Sequence, residues 1–343
     1  MEPLVHQFLL EYGLFLAKTV TWVAALGFLG ILIGGLVRAA RQEGGERLQV
    51  KNLNRRLQRL AEILNHELLG SHELKQEHKR LKREDKQRDK AAKAGERRPR
   101  LFVLDFHGDL EASRVSALRE EISALLQVAQ PQDEVLLRLE SAGGVVHGYG
   151  LAASQLSRIR DRGLRLNVAV DKVAASGGYL MACVASHIMA APFAIVGSIG
   201  VVAQLPNFNR LLREKHIDYE LHTGGEYKRT LTLFGENSDE GRAKFREELE
   251  QTHGLFKSFV AANRPQLDLA RVATGEHWYG TQAMELKLID EIRTSDDYLL
   301  EKAKAADVYE LHYRLRRGLR EQLMGGLGKL SAGAALPWQR PTL

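Results

Sequence analysis

The 343-residue sequence has a single cysteine, Cys183, so no disulfide can form within the chain and the fold must stand on packing alone. His222, His253 and His277 form no H-x-x-x-H or Cys/His spacing, so no metal is expected, and nothing in the sequence calls for a cofactor. Charge is missing from Thr19 to Val37, "TVTWVAALGFLGILIGGLV". A helix of that length spans about 28 Å, against a hydrocarbon core of about 30 Å. The flank ahead of it carries Glu2, Glu11 and Lys18 rather than a basic n-region, and no A-x-A cleavage site comes after it. Residues 1–37 therefore read as a retained membrane anchor, with membrane lipid as a partner.

Aromatic residues are missing from the next segment, where 19 Lys or Arg face 10 Asp or Glu between Arg38 and Arg100. Without interleaved aromatics or a binding motif, these charges give no ground for a nucleic-acid partner; anionic headgroups suit them better. The positive-inside rule would place the chain beyond the anchor in the cytoplasm. Leu53, Leu57, Leu60, Ile63 or Leu64, and Leu68 recur at helical spacing, so residues 38–100 read as a charged helical stalk ending in a basic linker.

From Leu101 the pattern changes. "LFVLDFHG", "DEVLLRLES", "LRLNVAVD" and "HIMAAP" read as strands, and residues 113–128, 148–160 and 174–186 as helices between or beside them. This alternation implies an α/β domain over 101–300 with a mainly parallel sheet, succeeded by a basic tail over 301–343. Ile188 to Asn209 is a second charge-free stretch, but Pro192, Gly197, Ser198, Gly200 and Pro206 interrupt it. Strand and turns account for it better than a second membrane span.

Three glycine-bearing turns come after strand-like runs: "ESAGG" at 140–144, "ASGG" at 175–178 and "GSIG" at 197–200. In an open α/β sheet such loops gather at the carboxyl ends of the strands, where ligands bind. Ser176 stands at the start of a helix, whose N-terminus favours developing negative charge. No histidine lies within ten residues of it. Lys228, in "GEYKRTLTLFGENS", is a base in reach of the pattern, with Lys172 as its competitor at a strand end. A lysine accepts a proton only when neutral, which predicts Lys228 buried among apolar neighbours and unpaired with Glu226. Since Ser176 and Lys228 flank residues 188–209, one membrane crossing there would separate them. His107, His147 and His187 leave open a Ser/His-based protease, and a catalytically inactive membrane scaffold is the non-enzymatic alternative.

The stretches "LRLESAGGVVHGYGLAASQL", "VDKVAASGGYLMACVA", "APFAIVGSIGVVAQLPNFN", "GEYKRTLTLFGEN" and "VATGEHWYG" together resemble the signal peptide peptidase A family of Ser/Lys proteases, in its branch of bacterial inner-membrane peptidases. The resemblance implies a ClpP/crotonase-like fold, homo-oligomers, and a membrane-anchored serine endopeptidase in the cell inner membrane, acting on peptide or protein substrates. It makes Ser176 the nucleophile, Lys228 its general base, Ser198 the hydroxyl that orients the lysine, and the Gly143 N–H an oxyanion donor. Signal-peptide-processing relatives work on the outer side of that membrane, so the side stays open. Ala142 stands where the family's turn has proline, which leaves the oxyanion turn less preorganised. Lys287 stands where the family tends to carry glycine.

Overall fold

The computed structural model describes residues 12–30, 34, 47–95 and 97–315. Helix α1 (Tyr12–Gly30) is the one helix among the described residues that is long and apolar enough to cross a membrane, and its residues are exposed. The charge-free run Thr19–Val37 of the expected anchor begins within it; residues 1–11, most of the stretch beyond Gly30, and all of the tail beyond residue 315 lie outside the described residues. Residues 188–209 form no such helix.

A separate compact unit runs from Leu48 to Tyr313. In chain order its elements begin with β1 (Arg47–Asn52), α2 (Leu53–Leu68), α3 (Ser71–Lys93), β2 (Arg100–His107), α4 (Val115–Val128), β3 (Glu134–Glu140) and α5 (Val146–Asp161). They continue through β4 (Arg165–Val170), β5 (Val173–Ala175), α6 (Gly177–Ala182), β6 (His187–Ala190), β7 (Ile195–Gly197), α7 (Asn209–Glu214) and α8 (Asp239–Asn263). The last are α9 (Leu269–Val272), β8 (His277–Tyr279), α10 (Gly280–Glu285), β9 (Glu291–Ile292), α11 (Ser295–Ala305) and β10 (Asp307–Arg314).

Seven strands form one sheet in the order β1-β10-β2-β3-β4-β6-β9, and the pairs from β10 to β9 are parallel. The central strands are continuous apolar runs because both faces are covered. Phe102, Leu104 and Phe106 enter one core, while Leu101 and Val103 enter the other. Leu118, Ile122 and Leu125 repeat at helical spacing and turn α4 onto the first of these cores. The expected α/β class with a mainly parallel sheet is thus present.

The sheet takes in chain on both sides of 101–300. β10 inserts beside β2, and β1 pairs with β10 at the edge. Asn54, at the start of α2, is buried; its amide donates to the carbonyls of Ala303 and Ala306 at 2.9 and 3.0 Å, and its carbonyl accepts from Val308 N–H at 2.7 Å. Residues 47–54 of the expected stalk are therefore docked on the core, and 38–46 lie outside the described residues. Farther along α2, Leu60, Ile63, Leu64 and Leu68 are exposed. Residues 174–186 are not one helix: β5 occupies Val173–Ala175, and α6 starts only after Ser176 has turned the chain.

Lys287 has φ +62°, in the left-handed region where a β-carbon is strained and glycine is at ease. That explains what the position asks for, and why lysine is an awkward occupant.

Candidate active site

A second, three-stranded sheet in the order β5-β7-β8 stands at the ends of the main strands and ties the three glycine turns together. Ser141, just past β3, forms a parallel bridge to Ala174: its N–H donates to Val173 C=O at 2.8 Å, and its C=O accepts from Ala175 N–H at 3.0 Å. Ser176 N–H then donates to Gly197 C=O at 2.7 Å. Ser198 N–H donates to Glu276 C=O at 2.7 Å, on the segment leading into β8. "ESAGG", "ASGG" and "GSIG" therefore meet at one place, as the sheet rule anticipates.

Ser176 has φ +53° and ψ −119°, a conformation that L-residues rarely adopt. Such strain persists only where the surroundings over-determine it, and it clusters at functional sites. Here the surroundings are three glycines with no room for side chains. A β-carbon at Gly143 would lie 2.8 Å from Ser176 Cβ and 2.7 Å from Gly177 N; one at Gly177 would lie 2.4 Å from the Tyr149 ring; one at Gly178 would lie 2.5 Å from Ser141 C=O. The serine is thus presented at a sharp strand-to-helix turn, half-buried, with the "SAGG" turn against it. Ser198 is also half-buried and has φ +52°.

Beneath the site runs a chain of hydroxyls. Tyr149 Oη donates to Asp109 C=O at 2.8 Å and lies 2.6 Å from Ser141 Oγ, which accepts from Gly143 N–H at 3.0 Å. Burial pushes the Tyr149 phenol above its ordinary range, outweighing the Ser141 hydrogen bond that lowers it. Cys183, the other potential nucleophile nearby in sequence, is buried, and burial pushes its thiol up to about 12. It is chemically quiet.

The expected lysines separate clearly. Lys172 donates to both carboxylate oxygens of Glu140 at 3.1 Å and is exposed. Lys228 makes no ion pair among the described residues, with Glu226 or any other carboxylate. It is nevertheless exposed, contrary to the burial its use as a base requires. The reason is the segment that carries it. Residues 201–237 fold mainly on themselves: Phe208 N–H donates to Leu233 C=O, Asn207 donates to Thr232 and Gly235 C=O, and the rings of Phe208 and Tyr219 pack on Phe234. Val202, Leu211, Ile217 and Leu221 are left exposed. One chain by itself does not cover this segment.

None of the three candidate histidines is hydrogen-bonded to Ser176. His187 shares a 2.9 Å contact with Glu291, His107 lies 3.6 Å from Glu140, and His147 is exposed. Among the described residues no group of His, Cys, Asp or Glu could hold a metal ion.

A serine presented on a strained turn at the strand ends of an α/β sheet, with small-residue loops pressed against it, is an arrangement suited to a hydrolase that works by acyl transfer. Two family models match in succession: the N-terminal part of peptidase family S49 over residues 7–156, and peptidase family S49 itself over 158–309. The chain is 48% identical over 328 residues to the "Probable protease SohB" of Haemophilus influenzae, covering 92% of each chain. It is 60% identical over 223 residues to the protein of the same name from Buchnera aphidicola subsp. Acyrthosiphon pisum, covering 65% of this chain and 66% of that one. The chain belongs to peptidase family S49, as a SohB-type member. Two solved structures of mutants of the 1510-N membrane-bound stomatin-specific protease align at TM-scores of 0.39 and 0.40, with 13% and 12% identity. They cover 60% and 68% of this chain and 84% and 99% of their own.

Three groups at this site stand outside the expectations drawn from the sequence. Gly177 N–H, the first amide of α6, adjoins both Ser176 and Gly143. Ser141 and Tyr149 underlie the turn. Gly177 had a signal, its place after the serine at a helix start; the Ser141–Tyr149 contact had none, since only the fold brings strand end and helix face together.

Proposed function

We propose that this family S49 protease is a membrane-anchored serine endopeptidase of the cell inner membrane, working through a Ser176–Lys228 dyad. Ser176 Oγ attacks the scissile carbonyl while neutral Lys228 takes its proton; the resulting lysinium protonates the leaving amine as the C–N bond breaks, and water then releases the acyl group from Ser176. Gly143 N–H and Gly177 N–H bind the oxyanion, and Ser198 orients the Lys228 amine. The observation that carries this reading is the contact of Gly143 with Ser176, which crowds an oxyanion donor against a strained serine at a helix start.

Lys228 becomes a base only when desolvated. Its segment supplies the means, because Val202, Phe208, Leu211 and Ile217, in the same 201–237 segment, expose apolar side chains that a second copy of the chain would cover. The active form is therefore a homo-oligomer. Substrates are unfolded or membrane-derived peptides with small or apolar residues at the cleaved bond, lying extended along the backbone of the "SAGG" turn by β-augmentation. The chain divides into an anchor over 1–37, a stalk over 38–100 whose residues 47–54 are docked, a peptidase domain over 101–300 with its flanking strands, and the basic tail over 301–343.

A serine-directed acylating probe and a fluorogenic peptide test this. Ser176→Ala should abolish both labelling and turnover, and Lys228→Ala should abolish turnover. Equal labelling of Ser176→Ala rejects the nucleophile; full activity in Lys228→Ala rejects the dyad and revives a histidine base.

A further inference from the structure

We propose that Ser141 and Tyr149 are positioning residues that latch the oxyanion turn, holding the Gly143 N–H inward in the resting chain and yielding it to the cleft when a carbonyl oxygen arrives. The proposal rests on the reading of Ser176 as nucleophile.

A hydroxyl carries one hydrogen, so the protons of the buried relay can be counted. Tyr149 Oη spends its own on Asp109 C=O at 2.8 Å, so in its 2.6 Å contact with Ser141 Oγ it can only accept. Ser141 Oγ therefore spends its single proton on Tyr149, and toward Gly143 N–H, 3.0 Å away, it can only accept. The direction is unique from end to end: Gly143 N–H to Ser141 Oγ, Ser141 O–H to Tyr149 Oη, Tyr149 O–H to Asp109 C=O. Both hydroxyl residues are buried, and burial keeps the phenol protonated at neutral pH. The Gly143 amide thus points at a buried oxygen below the turn. An oxyanion donor has to point at the substrate's oxygen instead.

Two further features fit a latch rather than a fixed brace. Gly108 leaves the space in which the hydroxyls meet: a β-carbon there would lie 2.3 Å from both Ser141 Oγ and Tyr149 Oη. The peptide that carries the Gly143 N–H turns about ψ of Ala142, which is exposed, and φ of Gly143, which at +92° has no side chain to resist. One N–H to neutral oxygen bond is weak enough to exchange on substrate binding, and its net worth corresponds to a factor of about three to ten in the population of the released turn.

Ser141→Ala removes the inward acceptor while Tyr149 keeps its bond to Asp109. The expected result is kcat raised about three- to tenfold with KM unchanged. A peptide aldehyde, whose adduct with Ser176 places an oxyanion at the turn, should bind tighter by a similar factor; the corresponding peptide alcohol, which forms no oxyanion, should bind as before. Tyr149→Phe, which keeps the ring and frees Ser141 Oγ to rotate, should move the same quantities in the same direction by a smaller factor, and serves if Ser141→Ala does not fold by circular dichroism. Unchanged or lowered kcat and aldehyde affinity in a folded variant overturns the latch. The serine-directed probe separates the two ideas: a parent labelled at Ser176 with an indifferent Ser141→Ala variant defeats the latch alone, whereas a parent that is not labelled at Ser176 defeats both.

Discussion

The two halves of the proposed dyad sit in opposite kinds of environment. Around Ser176 every neighbour is specified: β5 and β7 clamp its backbone, Gly143, Gly177 and Gly178 close to within contact, and Tyr149 and Tyr179 are fully buried beneath. Around Lys228 the chain closes a loop on itself through Asn207, Phe208 and Phe234 and then stops, with its apolar side chains facing outward. The lesson is that the proposed nucleophile and oxyanion turn are built by the fold of one chain, whereas the proposed base still lacks, in one chain, the cover it needs. Substitutions near Ser176 should therefore act through local geometry, and those in 201–237 through assembly.

The sharpest way to break the first half is Gly143→Ala. The new methyl would sit 2.7 Å from Gly177 N and 2.8 Å from Ser176 Cβ, at a φ of +92°. Most of what it meets is backbone, which cannot yield as a flexible side chain would. Turnover should fall about 10²- to 10³-fold, the usual cost of losing one oxyanion donor, while the circular dichroism spectrum is retained. Near-parental kcat/KM would show that this turn is not part of the machinery.

Next in size is Asp133, at the other end of β3 and far from the chemistry. Its buried carboxylate accepts from Arg100 N–H, Gln130 N–H and the Arg100 guanidinium. Burial alone would raise its pKa, but the Arg100 hydrogen bond and the backbone amides outweigh it and hold the group below its ordinary value. A depressed folded pKa contributes stability that is present above the unfolded value of about 3.9 and is lost as pH falls through the folded one. Asp133→Ala should cost about 3 kcal/mol at pH 7 by urea unfolding, with the gap from the parent closing below about pH 4. A gap independent of pH would mean that packing, not charge, is what the residue supplies.

Lys287→Gly should act in the opposite direction. The lysine backbone holds φ +62°, and its carbonyl accepts from Arg264 at 2.9 Å, so the conformation is fixed from outside. Relieving the β-carbon should raise stability by about 1 kcal/mol, read as a higher melting temperature with unchanged turnover. A lower melting temperature would count against strain at this turn.

The same contrast explains what was legible in the sequence. Strands β2, β3, β4 and β6 are apolar runs closed by turns, and local composition is enough to place them. Strand β10, "DVYELHYR", is half polar, and its neighbour β2 lies two hundred residues earlier, so neither pattern nor proximity announces it. β1 hides for the same reason, inside a segment whose charge suggests a solvated stalk. At the site, the three glycine turns could be read as converging because strand order fixes where strand ends go. The relay from Gly143 to Asp109 could not, because it depends on a helix face docking at one rotation. Lys228 shows a third limit: its residue type and neighbours are visible in sequence, but its exposure in the folded chain is not.

The smallest effect on the chain's own stability is expected from Phe208→Asp, and it sharpens the comparison most. Phe208 is 43% exposed and touches Phe234 at a centroid distance of 6.0 Å, so the unfolding free energy should change by no more than about 1 kcal/mol. A buried charge at an interface between copies is a different matter, because an unpaired ion desolvated there is costly. Sedimentation should accordingly shift to smaller species, and turnover should fall with it, while labelling of Ser176 by the acylating probe declines only as far as the base contributes to it. If instead the variant sediments as the parent does and cleaves peptides normally, the 201–237 surface is not where copies meet, and the desolvation of Lys228 must come from the bound substrate itself.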